Sequence, residues 1–198
     1  MPDNWKKLDD DYYRAWHKID SRAEAAGAYL KPLTDRQVVS TFLASRSSYH
    51  GWRKEFQPAL ADAERAIALN ERNIPAHVNA GFALESLGRL EDAAAHYGKA
   101  LQIDPVSARA MNNLAYLKVR DPQSSVYDIK GATKLIDAAL REHPAKAFLH
   151  ATQAEVSAAR ENWRAAGRNM QQAMKLDAKN PAYRERFMIF RDKLRTAK

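Results

Sequence analysis

Apolar residues along this chain recur three and four apart, and no segment shows the apolar–polar alternation that marks a half-buried strand. Alanine is abundant in the same stretches, which favours helix. The periodic runs are punctuated: Gly88 divides one pair of runs, and Pro105, Pro144 and Pro181 close successive stretches. The pattern predicts an all-α chain of short helices joined by tight turns.

Evenly placed breakers invite a search for internal repeats. A unit opened at Ile74 and run for 34 residues to Ser107 puts Ala76, Gly81, Ala93, Ala100 and Pro105 at positions 3, 8, 20, 27 and 32. The next unit opens at Ala108 and has Ala115 at position 8. Pro144 then stands 39 residues after Pro105 rather than 34, and the extra residues fall in the turn-rich stretch RDPQSSVYD, Arg120 to Asp128. With that insertion allowed for, Ala132 and Ala139 return to register. A further unit from Ala147 to Asn180 needs no gap and carries Ala154, Ala166 and Ala173. Working backwards, Ser40 to Asn73 supplies Ser47, Ala59 and Ala66 at the matching places.

This spacing of small residues resembles the tetratricopeptide repeat family from about Ser40 to Asn180. The third unit, with its NNLAYL opening, is similar to a variant found in many bacterial repeat proteins. Two places depart from the family pattern: Arg46 and Gln153 stand at position 7, where the family buries a leucine. The resemblance implies a right-handed α-α superhelix of about four helix-turn-helix repeats: 40–73, 74–107, 108–146 with the inserted loop, and 147–180. Within each repeat the small residue at position 8 is expected to face that at position 20. Position 27 is where the next repeat docks. Leu84, Leu87, Tyr97, Leu101 and Ile103 are expected to fill the core. One helix pair cannot bury its own apolar face, so repeats must stack.

The two ends do not follow the repeat. Trp5, Leu8, Tyr12, Trp16, Ile19, Ala23 and Ala26 form a stripe at helical spacing that ends near Gly27, giving an N-terminal helical cap over 1–39. Thr34 and Gln37 then form a capping-box pair that opens the next helix. At the other end Phe187, Phe190 and Leu194 mark a basic capping helix over 181–198.

Composition narrows the function. No apolar run is long enough to span a membrane, and the charged start, MPDNWKKLDDDYYRAW, lacks the apolar core of a signal peptide. A soluble, cytoplasmic protein is expected, with an exported form whose leader has been removed as the alternative. Cysteine is absent, which removes thiolate metal sites and cysteine nucleophiles. No phosphate loop, His-Glu-x-x-His or nucleophile elbow occurs, so neither an enzyme nor a bound cofactor or metal is expected. The formal net charge of +8 raises the prospect of an acidic partner. Its densest block is the C-terminal set Arg184, Arg186, Arg191, Lys193, Arg195 and Lys198.

Protein–protein interaction is the function the resemblance implies, as a scaffold or peptide-binding module whose concave groove is lined by the first helices. Carried onto this chain, the groove positions hold Asn79, Phe82 and Glu85, then Arg109, Asn112, Asn113 and Tyr116, then Thr152 and Glu155. Asn79 and Asn113 share position 6 of adjacent repeats, where side-chain amides can bind a peptide backbone. Of the five places of the family's clamp for acidic C-termini, Asn79 and Arg109 fill two. Ala44, Ser48 and Asn113 occupy the rest, so the clamp is not carried over. The remaining small residues, Gly81, Ala93, Ala100, Ala115, Ala132, Ala139, Ala154, Ala166 and Ala173, are assigned to packing between helices. Polyanion or nucleic-acid binding through the basic C-terminal helix is an alternative, as is self-association through the Trp5–Trp16 face.

Overall fold

The structure is a computed structural model that describes residues 33–197. The N-terminal stripe from Trp5 to Ala26 therefore lies outside the described residues. Nine helices follow one another with no strand among the described residues: α1 Asp35–Trp52, α2 Phe56–Leu69, α3 Ile74–Ser86, α4 Leu90–Ile103, α5 Ala108–Leu117, α6 Ile129–Glu142, α7 Ala147–Ala159, α8 Trp163–Leu176 and α9 Pro181–Thr196. Extensive contacts run only between helices one or two apart in sequence. The odd-numbered helices α1, α3, α5 and α7 touch in succession and form one row, with α2, α4, α6 and α8 behind them. This is the stacked helix-pair solenoid that the repeats predict.

Side-chain chemistry sets where each helix starts. The Thr34 hydroxyl accepts from the Gln37 amide, and the Gln37 side chain accepts from the Thr34 amide, closing the capping box in front of α1. Asn73, Asp128, Asn162 and Asn180 each cap the following helix with a side-chain oxygen. α1 continues unbroken across residue 40, so the repeat boundary falls inside a helix. Position 15 of the first, second and fourth repeats adopts a left-handed backbone, with φ of 62° at Lys54, 82° at Gly88 and 57° at Glu161. The fold thus imposes the same turn between paired helices whether or not glycine is there, at a local cost to Lys54 and Glu161.

The small positions are buried. Ala93, Ala100, Ala115, Ala132, Ala139, Ala154, Ala166 and Ala173 are all fully inaccessible. Gly81 is buried too, and the three atoms nearest to a Cβ built there all belong to the Tyr97 ring. A Cβ there would lie 2.5 Å from Cε1 of Tyr97, so the missing side chain makes room for an aromatic ring. The core is divided into overlapping clusters. One joins α2 to α5 around Leu84, Tyr97 and Leu117. A second joins α5 to α7 around Ile136 and Leu149. A third joins α7 to α9 around Met170 and Phe190, and a small fourth joins α1 to α3 through Ala44, Ala66 and Ala76.

The first repeat departs most from the family pattern, and its polar residues are satisfied locally. Ser40 donates to the Ala66 carbonyl at 2.7 Å and Ser47 to the Ala59 carbonyl at 2.6 Å, tying α1 to α2. Arg46 reaches the buried Asp62 carboxylate through two hydrogen bonds of 2.6 Å. This pairing holds the Asp62 pKa below its ordinary value. In the last repeat Gln153 donates to Asp137 at 3.3 Å. Both unusual residues at position 7 thus meet an acidic partner 16 residues away, on the facing helix.

Candidate functional site

The row of odd-numbered helices carries a cavity of about 420 Å³, lined by residues from α1, α3, α5 and α7 together with Ala59 of α2. Its apolar walls are Trp52, Phe82 and Phe148, and its floor bears the amides of Asn79, Asn112 and Asn113. Arg109 is the only charged lining residue. Phe82 can lie against α1 because Gly51 has no side chain, and a Cβ there would sit 3.4 Å from the ring. Phe56 packs edge-on to the same ring at 6.0 Å between centroids. Even so Phe82 stays 44% exposed and Trp52 79% exposed, so both present aromatic surface to the groove.

The amides differ in what they already bond. Asn79 donates to the Ala44 carbonyl at 2.8 Å, which ties α3 to α1. Asn112 donates to Asn113 Oδ1 at 3.2 Å. The Oδ1 of Asn112 is buried and has no hydrogen-bond partner among the described residues. A buried acceptor without a donor is unfavourable by about 1–3 kcal/mol.

Two of the expected groove residues are held in ion pairs within the array. Glu85 accepts from Tyr97 Oη at 2.9 Å and from Arg120 at 2.6 Å, linking the second repeat to the start of the inserted loop. Burial, reinforced by Glu85, pushes the Tyr97 pKa far up, so the phenol stays protonated and donates. Glu155 is bound through both oxygens by Arg186 of α9, each bond 2.5 Å long. Thr152 is buried. Tyr116 is 39% exposed but does not line the cavity. The cavity thus gathers Asn79, Phe82, Arg109, Asn112 and Asn113 and leaves out Glu85, Tyr116 and Glu155. It adds Trp52 and Phe148, at positions 13 and 2 of their repeats. Both positions belong to the family's groove set, so the signal for them was present in the sequence.

No group of three or more histidine, cysteine, aspartate or glutamate residues among those described is placed to hold a metal ion. The fold does join two histidines that are far apart in sequence. His77 Nδ1 and His96 Nδ1 lie 3.3 Å apart, and His77 Nε2 is 3.0 Å from the Glu71 carbonyl. Only an N–H satisfies that carbonyl, so Nε2 of His77 carries a proton, and in the neutral ring Nδ1 accepts from His96 Nδ1–H. Burial lowers both pKa values. Lys99 adds to the effect at His77, while His77 itself and Arg89 add to it at His96, against Glu64 and Asp92. The unfolded chain therefore takes up protons first as pH falls below about 6.5. The pair's stabilisation is complete above that value and is lost as pH drops toward the lowered folded values. The urea midpoint is expected to be lower at pH 5.5 than at pH 7.5. In a His77→Gln, His96→Gln variant this difference should largely vanish; an equal difference there would assign it to other groups.

Residues 86–120 match the model of the TPR repeat. The sequence matches none of the curated proteins with which it was compared. Several solved structures share the fold. MamA residues 41-end from Desulfovibrio magneticus RS-1 superposes with a TM-score of 0.62 at 19% identity, over 84% of this chain and 91% of that one. PilF of Pseudomonas aeruginosa gives 0.70 at 16% identity, over 82% and 72%. The thermophilic TPR protein TTC0263 of Thermus thermophilus gives 0.69 at 19% identity, over 76% and 80%. No described helix is long and apolar enough to cross a membrane. Residues 86–120 thus carry a TPR repeat, and the described chain around it shares the helix-pair solenoid fold of these solved structures.

Proposed function

We propose that the protein is a peptide-binding interaction module whose ligand lies in the groove between Trp52 and Phe148. The observation that carries this reading is the company kept by the unsatisfied Asn112 Oδ1: three partly exposed aromatic rings, two further amides and one guanidinium. An extended peptide offers what each of these lacks. A backbone N–H suits the Asn112 oxygen, a bulky apolar side chain suits the aromatic walls, and a carboxylate suits Arg109. The ligand class is thus an extended segment with an acidic group near a large apolar residue. The rigid helices limit the ordering cost on the protein side.

Peptides selected from a random display library on the intact protein test this. Selected sequences should pair an acidic with a bulky apolar residue. Phe82→Ala and Arg109→Glu should each weaken their binding about tenfold or more, the range of an interface hot spot. Arg109 is exposed, so its urea midpoint should barely move, and Phe82→Ala, which also gives up packing on Gly51 and Phe56, should remain folded with a modestly lower midpoint. Unchanged affinity in both variants would overturn the assignment.

The basic C-terminal helix gives less support to a polyanion site. Arg186 is bound to Glu155, Arg191 to Asp192, and Phe190 is buried rather than available to stack on bases.

A further inference from the structure

The second helices of the repeats, α2, α4, α6 and α8, turn one side away from the row that carries the groove, and the chemistry of that side changes half-way along the array. Lys130, Lys134 and Arg141 stand on α6 opposite its buried Ala132, Ile136 and Ala139. Arg164, Arg168 and Lys175 stand on α8 opposite Ala166, Met170 and Ala173. The two sets occupy the same places in their repeats, positions 18, 22 and 29. In the first repeat these places hold Gln57, Ala61 and Ala68, and in the second Glu91, Ala95 and Gln102. Six cations therefore stand at them on α6 and α8, and none on α2 and α4. All six are exposed, and none is paired with a carboxylate among the described residues. Asp137, at position 25, is the one acid in the two stripes, and it accepts from Gln153. Arg160, just after α7, adds a seventh charge. It joins Lys130 and Lys134 around a recess of about 440 Å³ whose wall includes Ile129 and Thr133.

We propose that this rear face docks the protein on an anionic lipid bilayer, with the recess seating one lipid headgroup. Clusters of this size on a helical surface attract acidic lipids. Two features favour a bilayer over a nucleic acid. The charges form a two-dimensional array: along each helix they are about 6 and 10 Å apart, and the other helix repeats the row alongside. Headgroups that move in the plane of a bilayer can gather at charges of any such spacing and leave Asp137 uncovered. A nucleic-acid strand laid along α6 would carry phosphates at fixed intervals past Asp137. Neither stripe has an aromatic residue on which a base could stack. The groove is carried by the other row of helices, so a docked membrane leaves it open.

Co-sedimentation of the full chain with vesicles tests this, comparing pure phosphatidylcholine with phosphatidylcholine mixed with phosphatidylglycerol. The protein should pellet with the mixed vesicles alone. Each basic residue at such a surface is worth roughly fivefold in affinity, so Lys134→Gln, Arg168→Gln should weaken binding about thirtyfold. The charge reversal Lys134→Glu, Arg168→Glu should weaken it further. Arg36→Glu, Lys54→Glu changes the net charge as much as that reversal, but on exposed residues of the first repeat. It should leave binding within about threefold, because salt screens charges more than about 10 Å from the surface. Far-ultraviolet circular dichroism shows that each variant is folded, and the glutamine pair decides the matter if the reversal is not. Equal binding to both kinds of vesicle, or to neither, overturns the proposal. So does an equal loss in the first-repeat variant, which would assign the effect to net charge. Tighter binding to duplex DNA than to mixed vesicles at the same phosphate concentration also overturns it, because the face would then belong to nucleic acid.

Discussion

Gly81→Ala is expected to destabilise the array by about 2 kcal/mol, although alanine is the better helix former. Alanine gains roughly 1 kcal/mol over glycine in a helix interior. Overpacking a filled core is unfavourable by about 1–3 kcal/mol, and here the upper end applies. The new methyl would stand 2.5 Å and 2.7 Å from two atoms of the Tyr97 ring. That ring is fully buried and cannot swing aside, because its hydroxyl is held by Glu85, which is held in turn by Arg120. Urea unfolding of Gly81→Ala should show the loss, and adding Tyr97→Leu should recover part of it by vacating the ring's space. A Gly81→Ala protein as stable as the parent would show that position 8 is not set by the ring.

Phe190→Ala is expected to release α9, with a loss of about 3–4 kcal/mol of docking free energy. Phe190 is 1% exposed, packs against Trp163 at 6.4 Å between centroids, and carries the Arg186 guanidinium 5.1 Å from its centre. Arg186 in turn grips Glu155, so losing the ring also loosens the ion pair that ties the cap to the fourth repeat. Met188 and Ile189, on the same helix, are 41% and 47% exposed, so Met188→Ala and Ile189→Ala should each shift stability by less than about 0.5 kcal/mol. Amide hydrogen exchange should show faster exchange through α9 and α8 in Phe190→Ala and little change in α3 and α4. Uniform acceleration would instead mean that the array unfolds as one unit.

How much of this is legible in the sequence depends on the range of the interaction. Periodicity and small-residue spacing are local, and they locate the helix pairs, the inserted loop and the capping box at Thr34. The ion pairs are not local. Glu85 and Glu155 look like groove residues by position, yet each meets an arginine more than 30 residues away that no helical spacing connects. The Asn112 oxygen is likewise invisible, since its want of a donor follows from the packing around it. His77 and His96 lie 19 residues apart, on facing helices, which a search for one-turn partners does not cover. Gly81 is legible as a packing residue, but the ring of Tyr97 that presses closest on it is not read from the spacing of small residues. Spacing shows that a side chain must be small, and only coordinates show what occupies the space.

The groove draws its walls from four helices whose cores belong to overlapping clusters. A stack of this kind behaves mechanically as a short spring, since each repeat contacts only its neighbours and small tilts between them add along the array. Trp52 and Phe148 sit toward opposite ends of that spring, so the gap between them varies with its pitch. A ligand long enough to touch both would select one curvature and brace the coil there. Its binding should then appear as a stiffening of the whole array, with segments that open one by one in the free protein becoming a single cooperative unit.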